Sequence, residues 1–500
     1  MATAQQRPPS QTAQPVEVAG VDISPRLYNS DLAPTKTQGR SWGAYNVFTL
    51  WGNDVHSLGN YAFAMGLFAL GMSVWDILIA FAVASGMLFV LLNLSGRMGS
   101  RTGVPFPVMS RIAFGIRGSK LPAAVRGAAA IAWFGIQTYL ASQVLRTLVT
   151  ALWPGAADYD KNSILGLSTL GWIAFLFLWA VQVLIVSYGM QAIRRYMALA
   201  APTVLVTVLA LAVWMFVKAD GSIALDNGTP FQGGTQWLHI FEAAALWVVV
   251  YGTFVLNFCD FTRSAKSNRA ISRGNLIGIP VNMLFFAAIA VVLSGAQFRI
   301  DGQVITSPTQ VVQDIPSTIL LALACLALLM LTVAVNLLAN FVAPVYMLVN
   351  MFPQRLTFRS AGVVSAVIGL VILPWNLYDS PVAVTYFLGG LGALLGPVFG
   401  IVMADYWLLR KAQIHVPHLY TEHPEATYHY RRGVNMKAVG VFVPAAVISV
   451  IIALVPAFTG IAGFSWFIGA GIAAALYWAV NDRKQTFEHV DGESIAVAAE

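Results

Sequence analysis

Charged residues are what this sequence of 500 residues has least of. Only 10% of its residues are Asp, Glu, Lys or Arg, whereas an average soluble domain is about a quarter charged. Hydrophobic residues make up 58%, and the mean hydropathy is +0.70. A soluble fold would need a very large and almost uncharged core, so the composition excludes an ordinary soluble domain. Repeated apolar runs of about 20 residues predict instead an all-α polytopic membrane protein.

Cysteine is scarce too, and glycine-rich linkers are absent. Cys259 and Cys325 both lie in apolar surroundings, where two isolated cysteines build neither a disulfide framework nor a metal site. Residues 1–40 are rich in Pro, Gln, Ser and Thr and contain no apolar core of a signal peptide. We expect them to form a mostly disordered cytoplasmic tail.

Twelve apolar segments are long enough to be membrane helices, although the ninth is short. They lie near residues 44–70, 74–96, 123–152, 164–187, 195–217, 235–258, 276–296, 315–349, 360–374, 382–408, 438–458 and 462–480. Twelve transmembrane helices are therefore predicted.

Basic residues concentrate in alternate loops. With the N-terminus in the cytoplasm, the outer loops receive only Lys161, Lys218 and Arg299 of the 29 Lys and Arg. This asymmetry follows the positive-inside rule for an N-in, C-in arrangement. It also accounts for the net charge of +7 without a nucleic-acid partner.

The stretch LWGNDVHSLGNYAFAMG (50–66) places polar residues inside the first apolar segment. Asn53, Asp54, His56 and Ser57 lie between Gly52 and Gly59, and Asn60 follows. Because glycine lowers helix propensity, we predict a helix break that exposes backbone groups to an ion or substrate site, as in many transporters. The alternative is a close helix–helix contact with paired polar side chains.

Polar or aromatic residues interrupt three further segments. Trp133 and Gln137 are four residues apart and share a helix face; they suit a planar ring and its amide edge, or ordinary packing. Tyr251–Gly252–Thr253 marks a possible second break. Asn336 and Asn340 also share a face, and Asn336 could equally bond between helices.

Segments 1 and 6, and segments 3 and 8, carry these features and are five apart. An odd-numbered repeat must be inverted in the membrane, which predicts a five-plus-five inverted repeat with its site between the halves. The predicted organisation is an N-terminal tail (1–40), a first repeat (41–217), an inverted second repeat (235–408), two additional helices (438–480) and a C-terminal tail (481–500).

Several motifs resemble those of the nucleobase–cation symporter family, which includes hydantoin, allantoin, cytosine and uracil permeases. The similarity covers roughly residues 40–435. The motifs are GVPFPVMSRIAFGIRGSKLP (103–122), AWFGIQT (132–138), LNFCDFTR (256–263), ANFVAPVY (339–346), LPWNLY (373–378) and LLGPVFGIVMADYWLLRK (394–411). The resemblance implies the LeuT-type fold.

The resemblance also implies roles for individual residues. In the family's hydantoin transporter two tryptophans stack the substrate, and Gln and Asn side chains bond its amides. Here Trp133 and Tyr251 occupy the two tryptophan positions, Gln137 and Ser57 the two glutamine positions, and Asn340 the asparagine position. Leu388 matches a leucine that gates the pocket. Two of these positions differ from the hydantoin transporter: Tyr251 replaces a tryptophan and Ser57 replaces a glutamine. The resemblance therefore does not identify which heterocycle is bound.

The cation site implied by the resemblance departs further. The family's sodium site uses backbone carbonyls at positions matching Asn53, His56 and Leu331, plus two hydroxyls that Ala334 and Val335 lack here. Since a hard cation needs a shell of oxygens, we expect proton coupling through His56 or Asp54. Alternatives are a sodium site completed by Asn53 or Thr332, or uncoupled facilitation.

The sequence thus predicts a secondary active importer of a small planar nitrogen heterocycle, working as a monomer in a bacterial inner (plasma) membrane. No cofactor is expected beyond the coupling ion, H⁺ or Na⁺. A membrane enzyme is disfavoured because no nucleophile–base pair or metal set appears. A channel would not need a stacking residue with amides, whereas a non-transporting receptor for a heterocycle stays possible.

Overall fold

The computed structural model describes residues 17–18, 21–305, 315, 317–378 and 389–495, and they are mostly helical. The main helices are α1 (Ala44–Asp54), α2 (Leu58–Ala69), α3 (Val74–Thr102), α4 (Lys120–Leu152), α5 (Thr169–Ser187), α6 (Met190–Lys218), α7 (Gly233–Val250), α8 (Gly252–Asn257), α9 (Asn268–Asp301), α10 (Thr318–Met351), α11 (Phe358–Val371), α12 (Gly390–Leu409), α13 (Met436–Leu454) and α14 (Ser465–Val480).

Shorter elements connect these helices. Single helical turns lie at Phe106–Met109, Arg111–Phe114, Cys259–Thr262 and Pro374–Tyr378, and 3₁₀ segments lie at Ser30–Leu32, Thr37–Gly39, Pro154–Asp160, Val416–Tyr420 and Pro456–Phe464. Two-residue strands, Glu17–Val18 and Val21–Asp22, pair antiparallel. Eight helices of the described residues are long and apolar enough to cross a membrane.

The two predicted helix breaks are present. The first membrane-scale segment is interrupted between Asp54 and Leu58, where the side chain of Ser57 caps α2 by accepting from the backbone N–H of Asn60 at 3.2 Å. The second is interrupted at Tyr251, between α7 and α8. Both breaks free backbone groups in the middle of the molecule, where a polar site can form.

Helix α10 widens into a π-turn over Leu337–Phe341, which contains Asn340. Pro344, three residues after this turn, cannot donate the backbone hydrogen bond that residue 340 would accept in an α-helix. The wide turn is therefore a consequence of the proline that the sequence places there. Comparable π-turns lie in α9 over Ile277–Val281 and in α12 over Ala404–Leu409.

Small residues bring the helices into close contact around α4. A Cβ atom on Gly127 would lie 2.2 Å from Sδ of Met347 in α10, and one on Gly135 would lie 2.6 Å from the carbonyl oxygen of Gly369 in α11. Such contacts allow the dense packing on which membrane helices depend. They hold α4 and α10 against each other, with the polar residues of both helices inside.

The expectation of a mostly disordered N-terminal tail is wrong for the part of it that the structure describes beyond residue 20. Leu32 is fully buried, the backbone N–H of Ser24 donates to the carbonyl oxygen of Tyr420 at 2.8 Å, and that of Thr35 donates to Gly103 at 2.8 Å. The segment is polar on average, but it contains a few widely spaced apolar residues that are buried against the rest of the protein. Thr37 also donates to Glu493, so the described segments nearest the two ends of the sequence meet on one face.

Candidate substrate site

A cavity of about 380 Å³ lies where the two broken helices meet α4, α10 and α12. It falls at the small end of the range of roughly 300–1,000 Å³ for small-molecule pockets. The described residues that line it are Asp54, Ser57, Gly59, Asn60, Phe63, Ala129, Trp133, Gln137, Leu246, Val249, Val250, Thr253, Phe254, Val335, Ala339, Asn340, Leu391, Gly392 and Leu395.

Helix α4 supplies one wall of this cavity. Ala129, Trp133 and Gln137 follow each other at helical spacing and line it together. Trp133 is half-buried, so its ring keeps an accessible face. Oε1 of Gln137 is buried without a hydrogen-bond partner. This wall combines a flat aromatic surface with an unpaired amide, which is what a planar heterocycle requires.

The opposite wall comes from α10, where two asparagines have different tasks. Nδ2 of Asn336 donates to the carbonyl oxygen of Phe134 at 3.0 Å and to Oε1 of Gln182 at 2.7 Å, so it joins α10 to α4 and α5. Its Oδ1 accepts from Nδ2 of Asn340 at 3.1 Å. Asn336 is thus an interhelical residue, and Asn340 reaches the cavity.

The first helix break contributes Asp54, Ser57 and Asn60 to the cavity. Nδ2 of Asn60 donates to the carbonyl oxygens of Asp54 at 2.9 Å and Val55 at 3.2 Å, which have lost their helical partners. The Asn60 side chain therefore satisfies backbone carbonyls at the break, and the residue itself lines the cavity. Asn60 was not among the predicted site residues, although it stands three positions after Ser57.

Tyr251, which the sequence comparison had suggested as a stacking residue, is not among the residues that line the cavity. It is only 1% exposed, and its ring centroid lies 5.4 Å from that of Trp247 and 6.2 Å from that of Trp51. Its hydroxyl accepts from Nδ2 of Asn60 at 3.0 Å and lies beside the Asp54 carboxylate. In this conformation Tyr251 stabilises the first helix break through Asn60 and does not line the cavity.

The second break instead presents Val249, Val250, Thr253 and Phe254 to the cavity. Phe254, with Phe63 of α2, supplies aromatic surface that the sequence reasoning did not identify. No sequence signal could have distinguished these rings, because phenylalanine is common throughout apolar helices.

Comparison with known proteins places this geometry in a family. The model of the family "Permease for cytosine/purines, uracil, thiamine, allantoin" matches residues 34–469. An allantoin permease of Bacillus subtilis is 34% identical over 91% of this chain and 93% of its own length. The chain belongs to the nucleobase–cation symporter family.

Other relatives of this chain are named after different substrates. A hydantoin permease of Microbacterium maritypicum is 28% identical over 85% of this chain and 84% of its own length. The fold is similar to a solved structure, with a TM-score of 0.74. That structure is a nucleobase-cation-symport-1 family transporter in a closed conformation with bromovinylhydantoin bound. It is 25% identical, over 91% of this chain and 95% of that one.

A distant sodium-coupled sialic acid symporter, 11% identical, matches with a TM-score of 0.63 over 91% of this chain and 93% of its own, which shows the fold alone. The chain is therefore an integral membrane transporter with a LeuT-type fold, and its relatives are permeases, not enzymes. Among the residues described, no group of three or more His, Cys, Asp or Glu could hold a metal ion.

The residues predicted for ion coupling are distributed over two layers of the symporter. Asp54 and Val335 line the cavity, whereas Asn53, His56, Leu331 and Ala334 are buried and do not line it. Those four form part of the packed layer behind the first break and α10. The structure thus places four of the six coupling candidates behind the cavity lining, whereas Asp54 and Val335 belong to the lining itself.

Within that layer, Asn53 has one unpaired atom. Nδ2 donates to the carbonyl oxygens of Thr49 at 2.7 Å and Met197 at 3.0 Å, while Oδ1 is buried without a partner. Thr332 donates to the carbonyl oxygen of Leu328 at 2.8 Å within its own helix. The predicted gate residue Leu388 lies outside the described residues; Leu391, on the adjoining helix α12, lines the cavity.

A buried polar network joins α4 to Ala339 of the cavity lining and to the helical segments that follow the second break. Arg126 is buried in α4 and donates to Oδ1 of Asn257 at 3.2 Å and to the carbonyl oxygen of Ala339 at 2.9 Å. Asn257 in turn donates to Asp260 at 2.7 Å. Asp260 also accepts from the backbone N–H of Phe106 at 2.6 Å, so it ties two elements together, as a capping residue would.

Proposed function

We propose that this symporter imports a small planar nitrogen heterocycle by alternating access: a nucleobase such as uracil or cytosine, or a ureide such as allantoin or hydantoin. The observation that carries the proposal is the cavity of about 380 Å³, with Trp133 on one wall and side-chain amides on two walls, at the meeting point of two helix breaks. A site built this way suits a flat ligand with an amide edge.

The proposed topology has twelve membrane helices with both termini in the cytoplasm. To the eight long apolar helices we add α4, α11 and the two broken pairs, α1 with α2 and α7 with α8. An even number of crossings agrees with the contact between Thr37 and Glu493, and the basic loops agree with N-in. We propose a monomer in a bacterial plasma membrane.

Trp133 stacks on the substrate ring in this proposal, and Gln137, Asn340 and Ser57 bond its amide edge. Support comes from their common position on the cavity lining. Tyr251 acts through Asn60 and does not touch the ring. Leu388, which lies outside the described residues, remains the proposed gate.

The coupling ion is proposed to be a proton, held at His56 or Asp54. Nδ2 of Asn282 donates to the carbonyl oxygen of Trp51, so Oδ1 of Asn282 accepts from Nε2 of His56 at 3.1 Å. Nδ1 of His56 faces the hydroxyl of Tyr61 at 2.9 Å. A hydroxyl can donate to a neutral ring or accept from a protonated one, so His56 can gain a proton without moving.

Sodium coupling is the second candidate, because Asn53 offers a specific oxygen to it. Oδ1 of Asn53 is buried and unpaired, and an unpaired buried acceptor costs about 1–3 kcal/mol. A cation bound there, with nearby backbone carbonyls, would remove that cost. It would replace part of the oxygen shell that Ala334 and Val335 cannot supply.

Uptake into proteoliposomes tests both the transport function and the ion. Labelled uracil, cytosine, allantoin and hydantoin would be offered under separate inward proton and sodium gradients. We expect uptake of at least one compound, driven by the proton gradient and abolished in H56Q, with H239Q as a histidine control distant from the cavity. Uptake that requires sodium and is lost in N53A would establish the second candidate.

Binding without uptake would mean that the chain is a receptor. Neither binding nor uptake of any of the four compounds, by protein that unfolds cooperatively on heating, would refute the proposed function.

A further inference from the structure

A second cavity, of about 400 Å³, opens at the C-terminal end of α3 and shares no described lining residue with the substrate cavity. Three arginines line it: Arg40 of the N-terminal tail, and Arg97 and Arg101 of α3. None of the described residues that line it is acidic. Three positive side chains around one cavity repel each other and create a potential that attracts an anion.

Two of these arginines have no counter-ion in the described part of the chain. The guanidinium groups of Arg97 and Arg101 form no hydrogen bond or ion pair with a described residue, and both residues are exposed. Arg40 differs, because it also lines a neighbouring cavity together with Asp491 and Glu493, whose charges partly balance its own. The uncompensated charge is therefore that of the α3 pair.

Two uncharged donors of α12 line the same cavity. The hydroxyl of Tyr406 and Nε1 of Trp407 are both buried without a hydrogen-bond partner among the described residues. An indole N–H can only donate, and a phenol can donate as well as accept. Leaving such groups buried and unpaired is costly, so a ligand with acceptor oxygens would supply partners that the protein does not.

The start of α9 completes the cavity with Ser267 and Asn268. Oγ of Ser100 donates to Oδ1 of Asn268 at 2.5 Å, which leaves the amide nitrogen of Asn268 to donate to a ligand. Oγ of Ser267 accepts from the backbone N–H of Ala270 at 3.1 Å. The side-chain acceptors here are thus neutral and already bonded, and the helix start adds a partial positive charge.

The cavity lies at the level of the membrane surface. Helix α3 has 29 residues and is about 44 Å long, whereas the hydrocarbon core is roughly 30 Å thick. Its last two turns, which carry Arg97 and Arg101, therefore reach the lipid headgroups. Val90 shares a helix face with Arg97 and is 55% exposed, and Leu408, beside Trp407, is also 55% exposed. Apolar surface for an acyl chain thus adjoins the cavity.

We propose that this cavity binds a phosphate group, supplied by the headgroup of an anionic phospholipid. Guanidinium groups bond phosphate oxygens in pairs, and basic pockets on the cytoplasmic side of membrane helices suit such headgroups. The positive-inside rule explains why arginines follow α3. It does not explain a cavity in which they converge with the unpaired donors of Tyr406 and Trp407. A phosphate there would join the tail to α3, α9 and α12.

Thermal unfolding of the purified full-length chain in a neutral detergent tests this inference. Phosphatidylglycerol, phosphatidylcholine with the same acyl chains, or glycerol 3-phosphate would be added. A ligand that binds only the folded state raises the unfolding temperature, so phosphatidylglycerol should raise it saturably and phosphatidylcholine should not. In R97Q/R101Q the phosphatidylglycerol concentration for half of the shift should rise roughly tenfold or more, because two charged hydrogen-bond donors are lost.

The matched control is R355Q/R359Q. Arg355 and Arg359 are also four residues apart and exposed, and they do not line the cavity. This variant loses the same charge and should keep the wild-type response to phosphatidylglycerol.

Y406F gives an independent readout, since it removes only a hydroxyl that has no described partner. Without lipid its unfolding temperature should equal that of the wild type or exceed it. The phosphatidylglycerol concentration for half of the shift should nevertheless rise roughly three- to tenfold.

The source of the phosphate follows from the soluble probe. A shift with glycerol 3-phosphate as large as that with phosphatidylglycerol would keep the phosphate site and assign it to a soluble ligand. Equal shifts with the two lipids would overturn the inference. So would equal weakening in R97Q/R101Q and R355Q/R359Q, because net charge alone would then attract the lipid.

Discussion

Trp133 and Tyr251 are the two aromatic residues that the resemblance assigns to the substrate, and the structure gives them different positions. Trp133 lines the cavity and is half-buried. Tyr251 is 1% exposed and packs against Trp51 and Trp247. Replacing each of them with leucine should therefore affect different quantities.

In W133L the substrate loses its stacking surface. Stacking of a base on an aromatic side chain contributes about 1–3 kcal/mol, so affinity for a planar heterocycle should fall roughly 5- to 150-fold. The unfolding temperature should change little, because Trp133 is already partly accessible. In Y251L the fully packed ring is removed, and large-to-small changes at such positions cost about 2–5 kcal/mol of stability.

The assay combines equilibrium binding with thermal unfolding of the same purified preparations. Y251F serves as the control, because it keeps the ring and removes only the hydroxyl, which accepts from Asn60 and donates to the Asp54 carboxylate. Asn60 keeps its two carbonyl acceptors and Asp54 loses one donor, so Y251F should weaken binding roughly ten-fold or less while leaving the aromatic packing intact. The reasoning would be refuted if Y251L lost affinity as strongly as W133L while its unfolding temperature stayed unchanged.

Two further predictions concern the cavity and the tail. A methyl group on Gly59 would lie 3.9 Å from Nε2 of Gln137, whereas one on Gly66 in the same helix would meet nothing within 4 Å. Uptake measurements should therefore show a KM several-fold higher for G59A and an unchanged KM for G66A. Equal KM values for the two variants would contradict this placement of Gly59. Leu32 is fully buried, so L32A should cost about 2–5 kcal/mol of stability in thermal unfolding. Q38A, at an exposed position, should cost almost nothing. An L32A variant with unchanged stability would mean that the tail does not pack as described.

Local chemistry made part of the site predictable. Polar residues flanked by glycine in an apolar segment signal a broken helix, and both breaks lie where the sequence placed them, between Asp54 and Leu58 and at Tyr251. The four-residue spacings of Trp133 with Gln137 and of Asn336 with Asn340 depend only on the geometry of a helix. These features required no knowledge of what lies opposite.

Other features depend on partners that are remote in sequence. Whether Tyr251 faces a ligand or a neighbour is decided by Trp51, about 200 positions away, and by Asn60. The packing of the tail depends on contacts of Ser24 and Leu32 with Tyr420, which follows α12, and of Thr35 with Gly103, which follows α3. Composition, which treats each segment alone, predicted disorder there.

The sequence by itself determined that this protein lies in a membrane, that two of its helices are broken, and to which family it belongs. Those properties follow from hydropathy, from helix propensity and from motifs that are contiguous in the chain. Only the tertiary structure decided which atoms of the polar residues remain free. A side-chain amide can turn either end toward a ligand. The amide of Asn60 is oriented in part by the remote hydroxyl of Tyr251, and that of Asn340 by Asn336, whose own amide is oriented by the carbonyl oxygen of Phe134 in α4.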